Sequence, residues 1–396
     1  MSAEPAGLHA TAPPVFLSQG FRPFFLAATL WAATAVPLWI VLFATGTALP
    51  SRFDPLSWHI HEMLFGFVMA AVAGFLLTAV PNWTQRRPLS GAPLALLASL
   101  WLLGRIACLF STLVHSWVAV VADLSFPAML IGVIAREIVA ARNWRNLPLI
   151  APVTVLAIAN LLMHLQASGV SLSSALGWRL ALAAVVVQLS VVGGRIIPNF
   201  TRNWLAQRHH TRLPAGHAWI DRLALGTLHT GVLGWAFLPD NALVGVLLLS
   251  AALFNAWRLL RWRGLATAAE PLLLILHVGY GWLVLGSALL GLSVLDARVP
   301  PSAAIHALTA GAIGTMILAV MTRATRGHTG RALSADRSTR LIYVLATFAA
   351  ITRVAAAFSS EWALGLLTLS AALWVGAFGG FVLQYGPMLL GSRADR

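Results

Sequence analysis

Apolar residues run along this chain in stretches separated by short polar joins, from residue 23 to residue 385. Stretches of about twenty residues, at ~1.5 Å of rise each, match the roughly 30 Å hydrocarbon core of a bilayer. They are continuously apolar and do not alternate at period two, so they read as helices and not as barrel strands. The pattern predicts spans at 23–46, 55–80, 93–114, 117–139, 147–167, 176–197, 219–238, 241–260, 271–292, 302–322, 340–358 and 361–385. The expected fold is therefore all-α, a polytopic membrane helix bundle of twelve spans in the lipid bilayer. It forms one transmembrane domain over 21–390, between short tails at 1–20 and 391–396.

Composition agrees, because 59% hydrophobic and 10% charged residues leave too few polar groups to cover a soluble protein of this length. The formal charge of +14 would point to nucleic acid in a soluble chain. Here every basic side chain is an arginine, and the arginines follow even-numbered spans: Arg86, Arg87, Arg142, Arg145, Arg202, Arg208, Arg212, Arg258, Arg261, Arg263, Arg323, Arg326, Arg331, Arg337 and Arg340. The loops after odd-numbered spans hold only Arg52 and Arg298. Charge of this kind sets topology against an anionic leaflet, so both termini are expected in the cytoplasm and no nucleic-acid partner is expected. Residues 1–20 lack a basic region leading to a cleavage site and read as a cytoplasmic tail. The absence of lysine excludes a Schiff base. The single cysteine, Cys108, excludes an internal disulfide, and without a CxxCH motif any haem is non-covalent.

A longer period underlies the spans. Pro23, Pro148 and Pro271 each open a span, at spacings of 125 and 123 residues. Spans 2 and 6 end in Pro81-Asn82-Trp83-Thr84 and Pro198-Asn199-Phe200-Thr201. Arg105, His229 and Arg353 recur at intervals of 124. This predicts three tandem four-helix units, 21–146, 147–270 and 271–390, where a major-facilitator transporter would show two six-helix halves. The haem–copper oxidases share a three-by-four layout, by fold-level analogy alone.

Chemistry concentrates at the start of spans 2 and 10. Asp54-Pro55 is a good N-cap and first-turn pair, so His59, His61 and Glu62 fall within the first two turns of span 2. Residues two apart lie ~200° apart on a helix, so His59 and His61 face different centres, for example one iron and one copper. His59 is expected to share a small-residue stripe with Glu62, Gly66, Ala70 and Ala73, and His61 to lie over Phe65, Val68 and Val72. His306 sits one turn into span 10 at a similar depth, above Gly311 and Gly314, and is the natural partner from a distant stretch. A lone intramembrane histidine is more often a helix-to-helix hydrogen bond; three at matched depth favour ligation. Arg105 and Arg353, inside spans 3 and 11, need acceptors, either Asp123, Glu62 and backbone carbonyls or the propionates of a haem. His277 with Tyr280, and His229, are candidates for a second metal site or a polar relay. His209, His210, His217 and His328 are expected in solvated loops, and Trp58, Trp83, Trp117, Trp204 and Trp262 in interfacial belts.

Several stretches carry a resemblance: Gly20-Phe21-Arg22-Pro23-Phe24-Phe25, Trp58-His59-Ile60-His61-Glu62-Met63, Leu76 through Thr84, Gly193-Gly194-Arg195 through Phe200-Thr201, and His306 through Arg331. Together they resemble the NnrS family across residues 20–385. The resemblance implies a bacterial inner-membrane protein containing haem and copper, linked to denitrification and to defence against nitric oxide. The family's histidine patterns map onto His59, His61, His277 and His306. The expected arrangement is a non-covalent haem b between spans 2 and 10, on His306 and either His59 or His61. Copper is expected at the remaining span-2 histidine or at His277, with Arg105 and Arg353 at the propionates. Nitric oxide would reach such a site through lipid; whether it is bound or turned over, and which electron donor serves the site, is left open by the sequence. The competing reading is a secondary transporter using the intramembrane arginine and histidine residues as a proton or anion path.

Overall fold

The computed structural model describes residues 13–173, 175–216 and 218–394. His217 lies outside the described residues. Twelve helices follow in order: α1 Phe21–Thr45, α2 Pro55–Thr84, α3 Ala92–Leu109, α4 Ser116–Ala140, α5 Trp144–Ala167, α6 Leu176–Ala206, α7 Ala218–Phe237, α8 Ala242–Arg261, α9 Pro271–Leu295, α10 Pro301–His328, α11 Arg337–Phe358 and α12 Ala363–Leu390. No strand occurs among the described residues. Within hydrocarbon every backbone polar group must be satisfied inside its own segment, and a helix does that without an edge. Eleven of these helices are long and apolar enough to cross a membrane. The exception is α7, whose Asp221, Arg222 and His229 dilute an otherwise apolar stretch.

Consecutive helices pack as neighbours around the bundle, and α12 returns to lie along α1 and close it. Inside this ring α2, α6 and α10 meet one another and, with α9, are the most deeply buried. With lipid on the outside there is no hydrophobic gain from helix association, so close packing must supply the cohesion. Gly245 of α8 and Gly291 of α9 show how. A Cβ at Gly245 would stand 3.1 Å from the Gly291 carbonyl, and one at Gly291 2.8 Å from the Gly245 carbonyl, so only glycine permits this approach.

Two helices widen to π-type geometry part-way along, and both do so just after a histidine. In α2 the segment Glu62–Val68, directly after His61, winds as a wider π-type helix. In α10 the segment Ala307–Gly314 does the same after His306. Such bulges are rare and concentrate at functional sites. The predicted cap of α2 is present: the Asp54 carboxylate accepts from the N–H of Leu56 at 3.0 Å and of Ser57 at 3.1 Å, with Pro55 at the first turn. The tryptophan belt needs correction at two positions. Trp58 and Trp262 are buried, Trp262 against Tyr280 with ring centroids 4.6 Å apart, because neighbouring helices cover them before lipid can.

Candidate functional site

The two faces of α2 lead to two different places. On one face a cavity of about 310 Å³ opens between α1, α2, α6, α10, α11 and α12, within the roughly 300–1,000 Å³ range of cofactor sites. His59, Met63 and Phe67 of α2, His306 of α10 and Arg353 of α11 line it, with Trp39 and Trp374 among the apolar walls. His306 Nδ1 donates to the Ser302 carbonyl at 2.8 Å, which fixes the tautomer and leaves the lone pair on Nε2. Metal-ligating histidines are held in the same way, through the ring nitrogen that does not bind. The His59 ring stacks on Trp39, with centroids 4.4 Å apart and planes at 28°. Its Nδ1 is buried without a hydrogen-bond partner among the described residues. Arg353 makes no hydrogen bond or ion pair among the described residues, so a half-buried guanidinium faces the cavity without a counter-charge. An unpaired arginine inside a membrane costs a few kcal/mol, and an anionic ligand group would offset that cost.

The other face of α2 enters a buried polar cluster shared with α3, α4 and α5. His61 Nδ1 meets Glu62 Oε1 at 3.0 Å, and His61 Nε2 lies 2.8 Å from Asn160 Oδ1 and 3.2 Å from Asp123 Oδ2. Arg105 donates through Nη1 to Glu62 Oε2 at 2.8 Å and through Nη2 to Asp123 Oδ1. Asn160 Nδ2 donates to Asp123 Oδ2 at 2.8 Å, and His164 Nε2 lies 3.0 Å from the same oxygen. Cys108 Sγ is 3.9 Å from His164 Nε2. Gly104 makes room for this: a Cβ there would stand 2.7 Å from Asp123 Oδ1. Phe53 caps the group, stacked 4.6 Å from the His61 ring.

His61, Cys108, Asp123 and His164 each offer one ligand atom, and these four atoms lie within 4.8 Å of one another. The group can hold a metal ion, and Glu62 stands behind His61 as a carboxylate does behind a ligating imidazole. Without a metal most of the cluster's polar atoms pair with one another, although Arg105 Nε is buried with no partner among the described residues. The charge of Arg105 is shared between two carboxylates, which is what a buried cation requires.

The expected residues thus sort into three places. His59, His306 and Arg353 come together on the cavity. His61 is turned away from them, as the ~200° separation requires. Arg105, expected with Arg353, lies instead in the polar cluster, where Glu62 and Asp123 take both arms of its guanidinium. His277 joins neither group: its Nε2 meets Thr201 Oγ1 at 2.9 Å and Trp262 packs near its ring. Tyr280 turns to Arg258 and Asn255, at 2.9 and 2.7 Å, and His229 to Ser190 at 2.9 Å.

The stripes expected on α2 need revision. Glu62 belongs with His61 and not His59, since its long side chain reaches back to the adjacent imidazole. Phe65 stays with His61, at 5.0 Å, but Val68 lines the cavity with His59. The widened turn after His61 rotates everything beyond it. Gly311 and Gly314 also act differently: a Cβ at either would strike Trp282 or Trp374, at 2.6 and 2.8 Å, so indoles occupy the space. His328, expected in solvent, is partly buried 5.4 Å from the Phe21 ring. Sequence reasoning leaves His164 unplaced and gives Cys108 no role. Their signal is spacing, since Asn160 and His164 are four apart and Arg105 and Cys108 three apart, each pair on one helix face.

The family model described as NnrS protein matches residues 15–393. The chain belongs to the NnrS family. The whole bundle falls within that match, and with it the residues of the cavity and of the polar cluster. No curated protein matches the chain. For an NnrS protein the buried His/Cys/Asp group is consistent with metal binding, and its donors, two imidazoles with a thiolate and a carboxylate, suit copper or zinc better than a hard cation.

Proposed function

We propose that this chain is a haem- and copper-containing protein of the bacterial inner membrane that relieves nitrosative stress in denitrifying-type bacteria by binding or redox handling of nitric oxide. One observation carries the reading. His59 and His306, from stretches far apart in sequence, line one apolar cavity together with an arginine that has no counter-charge among the described residues. That is the donor set of a non-covalent b-type haem: two imidazoles for the iron and a guanidinium for a propionate. Bound there, a haem would supply an iron centre able to exchange an electron, and to take up a neutral diatomic where one of the two imidazoles gives way.

The protein's own contribution is preparation. Ser302 holds the His306 imidazole in the tautomer that presents Nε2. Trp39 sets the plane of His59, and Met63, Phe67 and Trp374 keep water away. Copper is assigned to His61, Cys108, Asp123 and His164, with Glu62 orienting His61. Support for that choice over His277 is the convergence of four ligand atoms, where His277 has only a threonine hydroxyl. The arginine-rich loops after even-numbered helices support cytoplasmic termini. The meeting of α2, α6 and α10, each the second helix of its predicted unit, supports the threefold organisation.

The test is an ultraviolet–visible spectrum of detergent-purified protein with copper analysis alongside. A Soret band that His306→Ala abolishes, and a copper content that His61→Ala lowers while leaving that band, are the expected results. A colourless protein that transports a substrate in vesicles would replace this reading with a secondary transporter.

A further inference from the structure

Beside the cavity lies a second, smaller space. It measures about 90 Å³ and is bounded by α1, α2, α6 and α10. Val68 and Ile313 line both spaces, so these two side chains are the partition between them. Each belongs to one of the π-type segments, Val68 at the end of Glu62–Val68 and Ile313 within Ala307–Gly314. On the far side Val72 and Phe75 of α2 and Leu189 and Ile196 of α6, with Ile317 and Val320 of α10 beside them, are only half-buried, so the cleft opens outward between α2 and α6 along α10.

Size and chemistry narrow the occupant. Drug-sized and cofactor sites begin at roughly 300 Å³, well above this volume. Among the described residues the one polar side chain in the wall is Gln188, which is buried and whose Oε1 has no partner among them. An ordered water needs about two to four polar partners, so one amide does not sustain a water-filled passage. Apolar cavities of around 150 Å³ stay dry and bind xenon or benzene. Gly193 lies in the wall, where a Cβ would already touch the Met316 methyl at 3.4 Å and the Tyr280 ring at 3.5 Å, so a longer side chain there has the cleft as its free space.

We propose that this cleft is the entry for a lipid-dissolved, apolar diatomic gas, which passes from the bilayer between α2 and α6 and reaches the His59–His306 cavity through the Val68–Ile313 partition. The inference rests on the cavity being the reactive site, and it deepens that reading by giving the route. It explains why the passage is dry, since a neutral gas partitions into hydrocarbon while water and anions do not.

Two measurements test it. Crystals of the full chain grown in lipid and pressurised with xenon should show xenon beside Gly193, and Gly193→Leu should remove that site alone. An acyl chain filling the cleft, or xenon bound elsewhere but not here, overturns the proposal. This arm needs no cofactor, so it stands apart from the fate of the haem assignment. In haem-loaded protein, the bimolecular phase of carbon monoxide rebinding after photolysis should slow severalfold in Val68→Phe and Ile313→Phe and quicken in Ile313→Ala. Equal second-order rates in all three variants overturn the route. If the larger side chains impair folding, Ile313→Ala decides alone: faster rebinding supports the route, and an unchanged rate overturns it.

Discussion

Asp123→Asn isolates the charge that holds the buried cluster together. The two side chains have the same shape, so no void is created and the cavity penalty of a truncation is absent. What changes is the set of donors that one carboxylate satisfies. Oδ1 accepts from Arg105, and Oδ2 faces Asn160 at 2.8 Å, His164 at 3.0 Å and His61 at 3.2 Å. An amide has a single oxygen, so whichever way it turns its NH₂ faces donors on the other side. Breaking a buried ion pair costs about 3–5 kcal/mol. Arg105 keeps Glu62 at 2.8 Å, which places the expected loss near the lower end, at about 3 kcal/mol. Cys108 supplies the assay, because it is the only cysteine in the chain and is fully buried beside the cluster. Maleimide reacts with it only when the region opens, and with fast reclosing the labelling rate follows the open population. At 1.4 kcal/mol per tenfold, chelator-treated Asp123→Asn should label about a hundredfold faster than the parent. Glu137→Gln is the control: its partner Arg86 is 44% exposed, and exposed pairs contribute only about 0.2–1 kcal/mol. Unchanged labelling in Asp123→Asn, or equal acceleration in the control, would refute the view that this carboxylate anchors the cluster.

Two further outcomes follow from the geometry. Arg353→Leu removes a cation that has no partner among the described residues, so the cofactor-free protein should be as stable as the parent or more so, while retention of the Soret band through repeated detergent washing should fall; loss of thermal stability without cofactor would mean that Arg353 has a partner inside the protein. Asp336, which caps α11, is held below the ordinary carboxylate range: partial burial raises it, but the Thr339 N–H and hydroxyl and the Arg326 guanidinium outweigh that. A carboxylate depressed on folding contributes stability that is present above its unfolded value and lost as pH falls through its folded value. Protection factors for hydrogen exchange at the first turn of α11 should therefore fall on acidification below the usual aspartate range, and Asp336→Asn should make them independent of pH there.

Secondary structure and membrane placement were legible because both follow from local rules. A continuous apolar run of bilayer length in a chain that must satisfy its backbone is a helix, whatever its neighbours. Asp54-Pro55 announced the start of α2, and the i,i+2 spacing separated His59 from His61 before any fold was known. What the local rules did not contain was which distant helix each histidine would meet. His306 joins His59 because α2 and α10 adjoin in the bundle, whereas Asp123, Asn160 and His164 reach His61 because α4 and α5 cover its opposite face. Arg105 illustrates the limit: its burial and its need for an acceptor were readable, but the choice between Asp123 with Glu62 and a cofactor propionate depended on packing at Gly104. The π-type segments after His61 and His306 are the other decision of the tertiary structure. They rotate Val68 and everything after it out of the α register, and regular periodicity cannot foresee an extra residue in a turn that is stabilised only by the helices around it.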